Sequence, residues 1–276
     1  MSAPRWRAPV VAAAVLAAAL GVVAAVVVPW SVLGAGAAPV RPTPAADFLP
    51  AQLARDSAFH ADLRAWTYPR LALGIAVPLV LGLTPWGGRL VVRVGRLLGG
   101  SWPAQVLGGT IVLTAVPVVL SLPLSRGAEL VLRRYGLSTQ DWSGWTVDVV
   151  RNWAVGAAIT AGLLLVLVGL ARRWPRRWWV PAAVLAAAVT VAGSALYPVL
   201  IEPLANRFTP MPAGAQRTAL LDLARRDGVP VRDVLVADAS RRTTAENAYV
   251  SGLGATRRLV VYDTLLRGAS PRSGSL

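Results

Sequence analysis

Charged residues are spaced so unevenly along this chain that five long stretches contain none: Ala8–Val40, Leu71–Gly88, Leu97–Ser125, Asn152–Ala171 and Trp178–Ile201. A helix needs roughly 20 apolar residues to cross about 30 Å of hydrocarbon, so each stretch predicts a membrane-spanning helix. Leu71–Gly88 is the shortest and contains Pro78 and Pro85. A helix bundle tolerates such breakers where neighbouring helices satisfy the freed backbone groups. Tryptophans cluster near the ends of these stretches, among them Trp30, Trp66, Trp86, Trp102, Trp153, Trp174 and Trp178. The indole ring is apolar and its N–H needs a partner, so this placement marks the headgroup level independently of hydropathy. Arg5 and Arg7 precede the first stretch as they would in a secretory signal. Its apolar core, Val10 to Val28, is longer than the usual signal core, which favours a retained span.

After Ile201 the pattern changes, and Pro203, Pro210 and Pro212 punctuate an exit loop. Ala215–Arg226 reads as an amphipathic helix, with Leu220, Leu221, Leu223 and Ala224 toward a core and Asp227-Gly228 closing it. Val231–Ala237, Ala248–Ser251 and Leu259–Tyr262 predict three short strands separated by polar turns. Asp263 or Thr264 is placed to cap a helix opening at Leu265-Leu266. The expected fold is therefore predominantly α: a polytopic membrane bundle of about five spans over residues 1–201, then a small α+β domain over 202–266. A short polar tail, 267–276, has no periodicity.

Composition agrees: 55% of residues are apolar, 15% are charged, and mean hydropathy is +0.55. Soluble domains carry about 25% charged residues, so a soluble globular chain is excluded. The net charge is +15, and all the basic residues are arginine. Arg172, Arg173, Arg176 and Arg177 fill the turn between the fourth and fifth stretches, while Arg89, Arg93 and Arg96 lie between the second and third. Such charges hold helix ends at a lipid surface, so the expected partner is the bilayer and not nucleic acid. The arginine-dense turns point to the cytoplasm and, with an odd number of spans, send the tail outside. The tail's own arginines favour keeping it cytoplasmic, at the membrane of a bacterial cell. Ionisable residues are absent from the stretches, which argues against an ion or proton pathway. There is no cysteine. The single histidine, His60, lies near Asp56 and Asp62 between the first two stretches and reads as a solvated loop residue.

Several blocks carry a family resemblance. They are Arg134-Tyr135-Gly136-Leu137-Ser138, Tyr197-Pro198, Pro203 to Pro210, Arg241-Arg242-Thr243-Thr244 leading to Asn247-Ala248-Tyr249 and Gly252, and Arg257 to Leu266. In this order they resemble the type-1 CAAX prenyl protease family of integral-membrane zinc metalloendopeptidases. The resemblance implies five spans, a zinc peptidase domain and two further spans. It also implies that Asn247, Ala248 and Tyr249 form a strand beside the cleft and bind an extended peptide or membrane-protein substrate. The residue types alone leave open that Asn247 caps a turn and Tyr249 packs in a small core.

The family pattern then requires H-E-x-x-H, two imidazoles one turn apart on zinc with a glutamate as base. The resemblance gives way after Leu266, and no second histidine exists in the chain. No catalytic residue and no metal ligand is therefore assigned. The expectation is the N-terminal portion of such a protease, its peptidase domain truncated and, as written, inactive. The alternative is a non-catalytic membrane pseudoprotease or scaffold that binds peptide or lipid-linked chains.

Overall fold

Charge marks where a helix leaves hydrocarbon, while capping residues and prolines mark where it ends, and the two boundaries differ throughout this protein. The computed structural model describes residues 17–18, 21–22, 24–26, 43–229, 231–252 and 256–268, in two units, 1–55 and 56–276. In the first unit the described residues between 17 and 26 are helical, and Pro44–Asp47 forms one helical turn. The rest of the first predicted span lies outside the described residues.

Helix α1 runs Pro50–Leu83 and passes through Pro69 and Pro78. It begins well before the uncharged stretch at Leu71. His60 is therefore on a helix, not in a loop as the sequence reading has it: a helix continues past the first charged residues once their side chains reach water. Thr84 then ends α1 and caps α2, Pro85–Leu97, accepting from Trp86 N at 3.4 Å with Pro85 in the first turn. Thus Trp86, Gly87 and Gly88 belong to α2 and not to the second span. Gly99 and Gly100, at φ +92° and +73°, turn the chain into α3, Trp102–Arg134, which Ser101 caps. Asp141 caps α4, Trp142–Arg173, by accepting from Gly144 N at 2.8 Å. Helix α5 follows over Trp179–Leu200.

Helices α1, α3 and α4 are long and apolar enough to cross a membrane, and α5 carries the apolar stretch Trp179–Gly193. Large apolar side chains stand exposed along them, such as Leu71, Leu79, Val119, Leu120, Ile159 and Val166. That distribution suits a lipid solvent. Where the helices meet, side chains are small. A Cβ on Gly127 would lie 2.2 Å from the Trp66 ring of α1, and one on Gly108 would lie 2.7 Å from Val94 and Leu98 beside α2. Small residues at these points let the helices pack by close contact, the attraction available when lipid tails are as apolar as the side chains. Trp153 Nε1 donates to Thr114 Oγ1 at 3.1 Å between α4 and α3.

Beyond α5 a four-stranded sheet forms in the order β1-β2-β4-β3, from β1 (Phe208–Pro210), β2 (Val234–Ala237), β3 (Ala248–Ser251) and β4 (Arg258–Tyr262). Strand β1 was not expected, because its prolines read as a loop. It pairs antiparallel with β2 from the end of the sheet, where Pro210 need not donate an N–H outward. β2 and β4 are parallel, and β3 pairs antiparallel with β4, Tyr249 opposite Val260. Helices α6 (Ala215–Arg226) and α7 (Asp263–Gly268) lie where the pattern predicts. Met211, Val234 and Val261 form the core, with Leu220 and Leu221 of α6 and Leu265 and Leu266 of α7 packed on it.

Candidate functional site

Two of the quoted blocks are opposite sides of one junction. The loop between α3 and α4 receives the segment after β2: Thr243 Oγ1 donates to Leu137 O at 2.8 Å, Thr244 Oγ1 to Gly136 O at 2.8 Å, and Thr139 Oγ1 to Ser240 O at 2.9 Å. Ser138 and Thr243 also form a β-bridge. Gly136, at φ +75°, presents its carbonyl from a conformation that disfavours other residues. Beneath the junction, Glu129 accepts from Ser138 Oγ at 2.6 Å and from Arg133 Nε at 3.0 Å.

Asp148 on α4 is the second anchor. It accepts from Gln140 Nε2 at 2.7 Å and pairs with Arg242 at 3.4 Å and with Arg151. Arg242 also donates to Asn206 Oδ1, so one guanidinium links the membrane helix to the strand β1 approach. Glu202, which opens the helical turn Glu202–Ala205 after α5, is almost fully buried. It accepts from Ser251 Oγ of β3 and pairs with Arg258 of β4 at 3.0 Å. Buried charges persist only when paired and hydrogen-bonded, and both carboxylates meet that condition.

These anchors frame a cavity of about 510 Å³ lined by Arg151, Asn152, Tyr197, Glu202, Asn206 and Tyr249. Of the predicted trio, Tyr249 lines it. Asn247 and Ala248 are exposed, and Asn247 O accepts from Tyr262 N at 2.9 Å. Tyr249 is half-buried, its ring edge-on to Tyr262 at 6.2 Å, and it lines the cavity. Burial, aided by the Glu202 charge, pushes the Tyr249 hydroxyl up to about 12, so it stays protonated near neutrality. β3 is the terminal strand of the sheet, with β4 its partner on the inner side.

Ala248 and Tyr249 lie in the strand that the sequence predicts over Ala248–Ser251, and Asn247 precedes it, but Arg151, Asn152 and Glu202 carried no signal beyond their position at the edges of apolar stretches. Tyr197, Asn206 and Arg242 fell within quoted blocks without a role. His60 is exposed on α1, with Nδ1 2.9 Å from Asp56 O and 3.3 Å from Asp56 Oδ1. Among the described residues, no three of the His, Asp and Glu side chains gather as metal ligands.

Residues 71–207 match a family model described as CAAX prenyl protease N-terminal, five membrane helices. The chain is 32% identical over 162 residues to an uncharacterized metalloprotease, YhfN, of Bacillus subtilis, covering 59% of this chain and 38% of that protein. It is 29% identical over 160 residues to CAAX prenyl protease 1 of Saccharomyces cerevisiae, covering 57% of this chain and 35% of that one. It therefore spans well under half the length of these relatives. The crystal structure of S. mikatae Ste24p superposes with a TM-score of 0.63 at 23% identity, over 83% of this chain and 55% of that one, and so shares the fold. Helices long enough to span a bilayer, a small sheet domain after them and the family match over residues 71–207 converge: this chain resembles the CAAX prenyl protease family of integral-membrane metalloproteases.

Proposed function

We propose that this chain supplies the membrane bundle and the peptide-docking sheet of a metalloendopeptidase, with substrate adding as a strand along Asn247, Ala248 and Tyr249. The observation that carries this reading is the terminal position of β3 beside the cavity that Tyr249 shares with Arg151 and Glu202. A terminal strand offers unpaired N–H and C=O groups, which hold a peptide extended. The neutral Tyr249 hydroxyl is a donor within reach of a peptide in that cavity. The organisation proposed is a membrane region 1–201, a peptidase-like domain 202–266 and a divergent tail 267–276, with the domain facing the cytoplasm. Zinc is the metal the family resemblance implies, and H-E-x-x-H is absent from these residues.

Its one histidine favours a second reading, a non-catalytic membrane protein that binds peptide or lipid-linked chains through the same strand. Both readings require docking at β3. The test is fluorescence anisotropy of a labelled extended peptide with the purified full chain, against a twin N-methylated at alternate residues. Each backbone hydrogen bond is worth about 1 kcal/mol, so a twin methylated at two such residues binds roughly thirtyfold more weakly. Equal binding, or no loss in an Ala248→Pro variant, rejects docking by strand addition.

A further inference from the structure

Arg89, Arg93 and Arg96 recur at intervals of four and three on α2, within about 60° of arc at 100° per residue. All three are exposed. The other side of α2 is occupied: Val91 and Val94 pack over Gly109 and Gly108 of α3, and Gly95 closes on Gln105. The arginines therefore project directly away from the bundle. Beside them lies a hollow of about 590 Å³ that Trp86 also lines. Trp86 at one end of the helix and Leu97 at the other are 63% and 81% exposed. Acidic residues are absent between Asp62 and Glu129 and between Asp148 and Glu202, so nothing nearby in the chain neutralises this charge.

The turn after α4 joins the same end of the bundle. Arg172 stacks over Trp102 at 5.7 Å, and Trp102 opens α3 immediately after α2. Arg173 lies over Trp174 at 5.6 Å, and together with Arg176 and Arg177 they line a second hollow of about 650 Å³.

We propose that this end of the bundle binds anionic phospholipid headgroups, with Arg89, Arg93 and Arg96 as the phosphate-contacting centre. Three guanidiniums offer forked N–H donors matched to phosphate oxygens. Exposed Trp86 and Leu97 beside them match the acyl boundary just below a headgroup, which a free anion or an acidic protein does not supply. The second arginine cluster extends the same basic rim, and its tryptophan stacking holds two of its cations at that level.

The full chain, purified and placed in nanodiscs of phosphatidylcholine with or without phosphatidylglycerol, tests this by native mass spectrometry of the lipids retained. Wild type is expected to retain phosphatidylglycerol over phosphatidylcholine. R89Q, R93Q and R96Q each lower that retention about fivefold, and R89K/R93K/R96K keeps most of it. Equal retention of the two lipids, or unchanged retention in the glutamine triple variant, overturns the proposal. So does displacement of phosphatidylglycerol by millimolar inorganic phosphate, which identifies a free-anion site, or by an acidic peptide, which identifies a protein partner. If the triple variant loses helix content by circular dichroism, salt titration of wild type decides. Retention that falls with ionic strength supports the site, and retention indifferent to salt rejects it.

Discussion

The two ends of helices α3 and α4 treat arginine in opposite ways. At the end that meets the sheet, Arg133 pairs with Glu129, Arg151 and Arg242 with Asp148, and Arg258 with Glu202. At the other end, where α3 starts and α4 finishes roughly 50 Å away, seven arginines stand on segments free of acidic residues. Identical side chains thus serve two purposes. Paired inside the protein, Arg242 and Arg258 tie the sheet domain to Asp148 and Glu202; left without counter-charge, the arginines of the other end address something outside it.

The comparison breaks most sharply at Asp148. Asp148→Ala leaves Arg151 and Arg242 part-buried without their carboxylate, a change that costs about 3 kcal/mol by analogy with broken buried pairs. Limited proteolysis should then cut between 200 and 262 in the variant and spare wild type. If the R89Q/R93Q/R96Q variant is cut equally fast, the distinction between the two ends fails. That variant should instead unfold within about 0.5 kcal/mol of wild type, as surface changes do.

Smaller effects sharpen the junction itself. Thr243→Val removes the bond to Leu137 O and should destabilise the docked sheet by about 1 kcal/mol in denaturant unfolding. A pH series addresses Asp263, which burial pushes up but which Ser240, donating from N at 2.8 Å and from Oγ, together with Arg267 holds below the usual carboxylate range. Its folded value lies below its unfolded one, so its contribution is present above about pH 4 and is lost as pH falls through the folded value. Asp263→Asn should flatten the acid limb of the stability curve and leave the neutral-to-alkaline limb parallel to wild type. The smallest change is expected at the solvent-facing pair Arg225–Asp222, where Arg225→Gln should shift stability by less than about 0.5 kcal/mol.

Much of this architecture was readable in the order of residues, and the failures have physical reasons. Uncharged stretches located α3, α4 and α5 because hydrocarbon excludes charge. They misjudged where α1 begins, since Asp56, His60 and Asp62 can ride on a helix that has already left the lipid. Helix α6 and strand β3 matched their predicted bounds because each is bracketed by turn residues. β1 escaped because Pro210 argues against a strand unless the strand lies at an edge, and edge position is a property of the sheet.

The site divides in the same way. Asn247 to Tyr249 were named from the family resemblance alone, and the cavity beside Tyr249 takes Arg151 from α4, Tyr197 from α5 and Glu202 and Asn206 from the turn that follows. With a single histidine, these residues contain no H-E-x-x-H.

Sequence by itself determined which segments can live in hydrocarbon, that β2, β3 and β4 are strands and where arginine is concentrated, because solvent preference and backbone propensity act over a few neighbouring residues. Only the tertiary structure decided which arginines are paired, that β3 stands at the sheet's edge and that Asp148 and Glu202 join bundle to sheet. The ion pairs that reach from helix to sheet domain, Arg258–Glu202 and Arg242–Asp148, join groups 56 and 94 residues apart, which chain order does not bring together.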